Sequence, residues 1–208
     1  MNMHIVLYSK PFFQRCLRPT TRMLAVMGVT ANQVTVANIL VSVIAGTSVL
    51  LYVDESWPLF LIPCALIVRF ILNHIDGMLA REHNMQSTAG LILNELADII
   101  SDVVLYLPLA LNKDLPGVLI VIIVVLAVLT EFTGLLGAVI GADRRQDGPM
   151  GKRPRGVAFG LMAFLLAIGI TPGIWIDVLL AGMVPLLILT CIYRVMAAMK
   201  QLNEGGCT

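Results

Sequence analysis

The stretch LNHIDGMLAREHNMQSTAGLILNELADIISD, Leu72 to Asp102, sets Asp76, Arg81, Glu82, Glu95, Asp98 and Asp102 inside a chain that is otherwise strongly apolar. Each ionisable group held at bilayer depth costs at least about 2.5–3.5 kcal/mol, so such a cluster requires a functional reason. Spacing supplies one. Arg69, Asn73, Asp76 and Ala80 recur at intervals of four, three and four residues, the repeat of a single helical face. Gly90, Asn94, Asp98 and Asp102 recur every four residues and form a second stripe. The linker between them, Glu82 to Ala89, is short, so the two helices are expected to be antiparallel neighbours whose stripes face one another. Polar atoms would then converge near one membrane surface, with Arg69 and Asp102 deeper and within reach of each other. His74 and Glu95 fall off the stripes and read as packing residues.

The surrounding sequence defines the membrane. Of 208 residues 58% are hydrophobic and 13% charged, against roughly 25% charged in an ordinary soluble domain. A spanning helix needs about 20 mostly apolar residues. Six runs approach or meet that length: 34–53, 58–80, 90–112, 117–141, 156–170 and 174–197. The expected fold is an all-α membrane protein of six transmembrane helices, a single membrane-embedded domain over 1–208 with its six-helix core at 34–197. Residues 1–30 would form an interfacial N-terminal segment and 198–208 a tail.

Breaks at DESWP (Asp54 to Pro58), NKDLPG (Asn112 to Gly117) and TPG (Thr171 to Gly173) fall on one side of the membrane. Basic residues collect on the other: Lys10, Arg15, Arg18 and Arg22, then Arg81, then Arg144, Arg145, Lys152, Arg153 and Arg155, then Arg194 and Lys200. By the positive-inside rule both termini and the REHNMQST and ADRRQDGPMGKRPR loops are expected to be cytoplasmic. No cleavable secretory signal is expected, because the segment before residue 34 has basic residues but no apolar core. There Arg15, Arg18 and Arg22 share a stripe while Phe12, Phe13, Cys16 and Leu17 supply apolar contact. The segment suits an amphipathic helix on an anionic leaflet, and equally a basic flank that only fixes topology. Cys16, Cys64, Cys191 and Cys207 lack CxxC spacing and are expected as free thiols. Nothing in the chain resembles a nucleic-acid footprint.

Clustered Asp and Asn oxygens open to water suit a hard divalent ion such as Mg²⁺ or Mn²⁺, which would screen phosphates. Gly77 and Gly90 remove side chains where a bulky ligand could approach the backbone. Lys152, Arg153 and Arg155 give the following cytoplasmic loop the charge to hold an anionic head group, although topology alone accounts for part of it.

The series Asp76-Gly77-x2-Ala80-Arg81-x8-Gly90-x3-Asn94-x3-Asp98 resembles the signature of the CDP-alcohol phosphotransferase family, D-x2-D-G-x2-A-R-x8-G-x3-D-x3-D, gap for gap. VTANQVT, Val29 to Thr35, is similar to that family's T-P-N-x-x-T entry to its first span, with Ala31 in place of Pro. The resemblance implies a six-span enzyme of the bacterial inner membrane, homodimeric as in relatives, with its active site cytoplasmic. The implied reaction moves a phosphatidyl group from CDP-diacylglycerol to an alcohol acceptor and releases CMP. Carried over by position, Asp98 is the general base, Asp76 is a metal ligand, and Asn73 and Asn94 stand where the family has two further aspartates. Asn32, Gly77, Ala80, Arg81 and Gly90 frame the nucleotide and donor. Lys152, Arg153, Arg155 and Arg69 are candidate acceptor or phosphate contacts, and Asp102 supports the site from one turn away. Arg69 reads alternatively as an ion-pair partner of Asp102 or Glu131. Two neutral amides in place of two anions weaken metal binding, so one ion is expected more readily than two. They also leave open a catalytically silent relative that binds CDP-lipid or partners other lipid enzymes.

Overall fold

The computed structural model describes residues 3–205, with side chains described for residues 15–203. Seven α-helices make up these residues: α1 (Met3–Val26), α2 (Ala31–Leu51), α3 (Leu61–Glu82), α4 (Thr88–Tyr106), α5 (Gly117–Val139), α6 (Lys152–Ala167) and α7 (Ile174–Gly205). Single 3₁₀ turns, Trp57–Phe60 and Leu107–Leu111, precede α3 and follow α4. Each has a proline at its start, where the missing N–H costs nothing. All six expected runs are helical, and α1 is the expected N-terminal helix.

Four helical segments are long and apolar enough to cross a membrane: Ala31–Leu51, Trp57–Glu82, Gly117–Val139 and Ile174–Asn203. The other two expected spans differ for visible reasons. Helix α4 carries Glu95, Asp98 and Asp102, and α6 has only 16 residues. Of the basic loop expected before the fifth span, Lys152, Arg153 and Arg155 are in fact the first turn of α6. Pro154 is compatible with that turn because its backbone nitrogen needs no intrahelical acceptor there.

The chain packs as two compact units, Met1–Val43 with Ile67–Ser101, and Ile44–Leu66 with Asp102–Thr208. In the first, Ala31, Val34, Ile75 and Leu79 form a small core against which Leu17, Leu24, Ala25, Ile71, Leu72, Ala80 and Met85 pack. Leu17, Thr21 and Leu24 therefore turn inward from α1, while Arg15, Arg18 and Arg22 are exposed. Met23 and Val26 at the end of the same helix, and Met27 just after it, are exposed apolar residues. The side chains of Phe12 and Phe13 lie outside those described.

In the second unit α5 buries Ile120, Ile123, Val124, Ala127, Thr130, Glu131, Gly134 and Gly137, one face at helical spacing. Val118, Val125 and Val139 project from its other side, the pattern of a helix whose outer face meets lipid. The chain after α5 returns across its glycine end. Arg145 N–H donates to Gly134 O at 3.2 Å, and a side chain at Gly134 would collide with the Arg145 carbonyl. Cys16, Cys64 and Cys191 are free thiols, and Cys207 lies outside the described residues.

Candidate functional site

Helices α2 and α3 meet through matched polar rungs in the first unit. Asn38 Nδ2 donates to Asn73 Oδ1 at 2.6 Å, and Thr35 Oγ1 lies 3.3 Å from Asp76 Oδ2. Residues 35 and 38 are three apart on one helix, and 76 and 73 are three apart in reverse order on the other. Antiparallel helices pair in this way, and each rung takes a residue from the predicted α3 stripe. Thr35, Asn38 and Asp76 are buried and Asn73 is half-buried.

Sequence reasoning singled out Asn32 on α2 but not Thr35 or Asn38. The signal was present: Asn32, Thr35, Asn38 and Ser42 recur at intervals of three, three and four in a mostly apolar helix. Asn38 is fully buried, yet its Oδ1 has no hydrogen-bond partner. A second polar end is thus left over beside Asn73 after the first is used.

Asn32 and Gly90, both predicted to frame the donor, come together. A Cβ at position 90 would stand 2.6 Å from Asn32 Oδ1 and 2.9 Å from Ser87 Oγ. The absent side chain at Gly90 therefore makes room for the Asn32 amide, and Ser87 Oγ accepts the Gly90 N–H at 3.0 Å. Arg81 folds back along α3, with Nε donating to Gly77 O at 2.9 Å, so its guanidinium lies over the glycine that precedes it by one turn. Ala80 packs against the Ala31–Leu79 core. Asn94 and Asp98 are half-buried on α4, and Arg69 is buried on α3. His74 Nδ1 donates to Phe70 O at 2.7 Å and its ring contacts Phe70, as expected of a packing histidine.

The basic residues of the second unit occupy two environments. Arg153 is exposed and Lys152 half-buried, whereas Arg155 is 1% exposed, with NH2 2.7 Å from Asp102 Oδ2. Asp102 is thus tied to α6, and Glu131 lies between Arg155 and Arg194.

Among the described residues no three His, Cys, Asp or Glu side chains gather as a metal cluster. The donors on the two stripes are the carboxylates Asp76 and Asp98 and the amides Asn73 and Asn94. All offer oxygen, so the set fits a hard divalent ion with water completing its shell. Two carboxylates supply little charge for a close pair of ions.

Residues 28–198 match the CDP-alcohol phosphatidyltransferase family. Inner membrane protein YnbA of Escherichia coli K12 is 42% identical over 159 residues, covering 76% of this chain and 79% of that protein. Phosphatidylinositol phosphate synthase PgsA1 of Mycobacterium tuberculosis shares the fold. Its complex with manganese and citrate superposes with a TM-score of 0.73 at 20% identity, over 87% of this chain and 88% of that one. Its complex with CDP-DAG gives 0.72 at 22% identity, over 88% and 94%. With the profile covering most of the chain and a relative above two-fifths identity, this protein belongs to the CDP-alcohol phosphatidyltransferase family.

Proposed function

We propose that the chain is a CDP-diacylglycerol-dependent phosphatidyltransferase, acting at the cytoplasmic face of a bacterial inner membrane as a six-span homodimer. The observation that carries this reading is the pair of rungs on α3: Asp76 and Asn73 of the family motif are each held by a side chain of α2. Fixed orientation of polar groups is what a phosphotransfer site needs, because catalysis there is mostly positioning and charge stabilisation.

In the reaction the acceptor oxygen forms a bond to the β-phosphorus of the donor. The bond from that phosphorus to the CMP oxygen breaks, and CMP leaves with the electron pair. Asp98 takes the proton of the attacking hydroxyl on a carboxylate oxygen. Asp76, with Asn73, Asn94 and Asp98, would hold Mg²⁺ or Mn²⁺, which when bound offsets charge on the diphosphate. Asn32 and Arg81, the latter steadied on the Gly77 carbonyl, would bind the donor. The PgsA1 complexes with CDP-DAG and with manganese support this assignment by likeness of fold.

The test is mass spectrometry of purified protein incubated with Mg²⁺, CDP-diacylglycerol and a panel of alcohols. A new phospholipid with matching CMP release is the expected result. Asn73 and Asn94 favour one other reading, a silent relative that binds CDP-lipid, and donor binding without product from any alcohol would establish it.

A further inference from the structure

Helix α1 presents three faces. Leu17, Thr21 and Leu24 turn inward: the leucines pack against the core of Ala31, Val34, Ile75 and Leu79, and Thr21 Oγ1 lies 3.9 Å from Met78 Sδ. Arg15, Arg18 and Arg22 recur at helical spacing and are exposed. Cys16, Pro19, Met23 and Val26 do the same and are also exposed, Met23 by 60% and Val26 by 89%. A helix of about 3.6 residues per turn sets this uncharged face directly beside the basic one, with Val26 one turn beyond Arg22.

Chain connectivity decides what meets these faces. Residues 27–30 alone separate α1 from Ala31–Leu51, a segment long and apolar enough to cross a membrane. The end of α1 is therefore held at a bilayer surface. Exposed Met23 and Val26 are unfavourable in water, whereas acyl chains accept them, and guanidiniums on the adjoining face reach headgroup phosphates. Charge in this part of the chain has one sign: residues 1–53 include Lys10, Arg15, Arg18 and Arg22 but no Asp or Glu. Arg18 shares its charge with Glu82 of α3 at 3.3 Å, so Arg15 and Arg22 carry most of the outward field. A flank that only fixes topology needs basic residues but no ordered apolar face beside them.

We propose that the exposed side of α1 is a seat for anionic phospholipid. Arg15 and Arg22 hold headgroup phosphates while Met23 and Val26 enter the acyl layer. A lipid of net negative charge is favoured over a zwitterionic one, whose ammonium offsets its phosphate. Lipid binding on α1 needs no turnover, so its failure leaves the phosphatidyl-transfer reading untouched.

The test is native mass spectrometry of full-length protein in neutral detergent with an equimolar mixture of phosphatidylglycerol and phosphatidylcholine. The native chain is expected to retain phosphatidylglycerol in excess, and Arg15→Gln with Arg22→Gln to lower that ratio by about threefold or more. Arg15→Lys with Arg22→Lys keeps the charge and is expected to keep the ratio. Lys152→Gln with Arg153→Gln removes the same charge from α6 and is expected to change it less.

An unchanged ratio in the α1 glutamine variant overturns the proposal, as does an equal fall in the α6 variant or in the lysine variant. A dimer lost from the glutamine variant at constant lipid ratio assigns the face to a second copy of the chain and also overturns it. Should the glutamine variant not fold, the native chain decides: its unfolding temperature is expected to rise with added phosphatidylglycerol more than with phosphatidylcholine, and equal shifts overturn the proposal.

Discussion

Asn38 and Asn73 meet amide to amide at 2.6 Å, Asn38 the donor and Asn73 the acceptor. The family motif places an aspartate where this chain has Asn73. A neutral amide at that position still accepts a hydrogen bond, but brings no charge to the neighbouring Asp76.

Removing the donor isolates its effect. Asn38→Ala leaves Asn73 Oδ1 without its partner, which costs about 1–2 kcal/mol for a buried hydrogen bond. The unfolding temperature in detergent is expected to fall by several degrees. An unchanged midpoint would show that the rung contributes nothing to packing.

Restoring charge is the converse experiment. Asn73→Asp combined with Asn94→Asp adds two carboxylates to the donor set, so Mn²⁺ affinity measured by electron paramagnetic resonance is expected to rise by about tenfold or more. If the double variant gains transferase activity that the native chain lacks, the native protein is a silent relative. If activity is present in both and only metal preference changes, the enzyme reading stands.

Gly90→Ala sets a methyl group against Asn32, 2.6 Å from its Oδ1. The Asn32 side chain can swing aside, so the fold is expected to survive with little change in unfolding temperature. If Asn32 binds the donor as proposed, displacing it is expected to lower the affinity for CDP severalfold. Unchanged CDP affinity would remove Asn32 and Gly90 from the binding site.

Burial separates the ion pairs. Asp102→Ala takes from the buried Arg155 the nearer of its two carboxylate partners, leaving Glu131 at 3.5 Å, and is expected to cost about 3 kcal/mol, whereas Asp102→Leu with Arg155→Met recovers most of that loss. Arg18 and Glu82 pair at 3.3 Å with half and a third of their side chains exposed, so Arg18→Ala should change stability by less than about 1 kcal/mol. Equal effects at the two sites would contradict the burial argument. Thermal unfolding of the variants side by side makes the comparison.

Local pattern and chain punctuation made much of this legible from the sequence. Pro and Gly clusters marked the helix ends to within a few residues, and the intervals 69-73-76-80 and 90-94-98-102 identified two polar faces. Which residue answers a face was not legible. Asn38 lies 35 residues before Asn73, and Arg155 lies 53 residues after Asp102. Helical period tells which way a side chain points, but not what stands opposite. Lys152-Arg153-Pro154-Arg155 read as loop because proline and charge both suggest one, yet a helix accepts proline in its first turn.

The most direct test of phosphatidyl transfer at this site is CMP release from CDP-diacylglycerol by the purified native chain and by Asp98→Ala, with Mg²⁺ and an alcohol acceptor. The account predicts CMP from the native protein and a loss of at least about 100-fold in the variant, with donor binding retained. Equal rates for the two proteins, or a metal-saturated native chain that binds donor and forms no CMP, would contradict it.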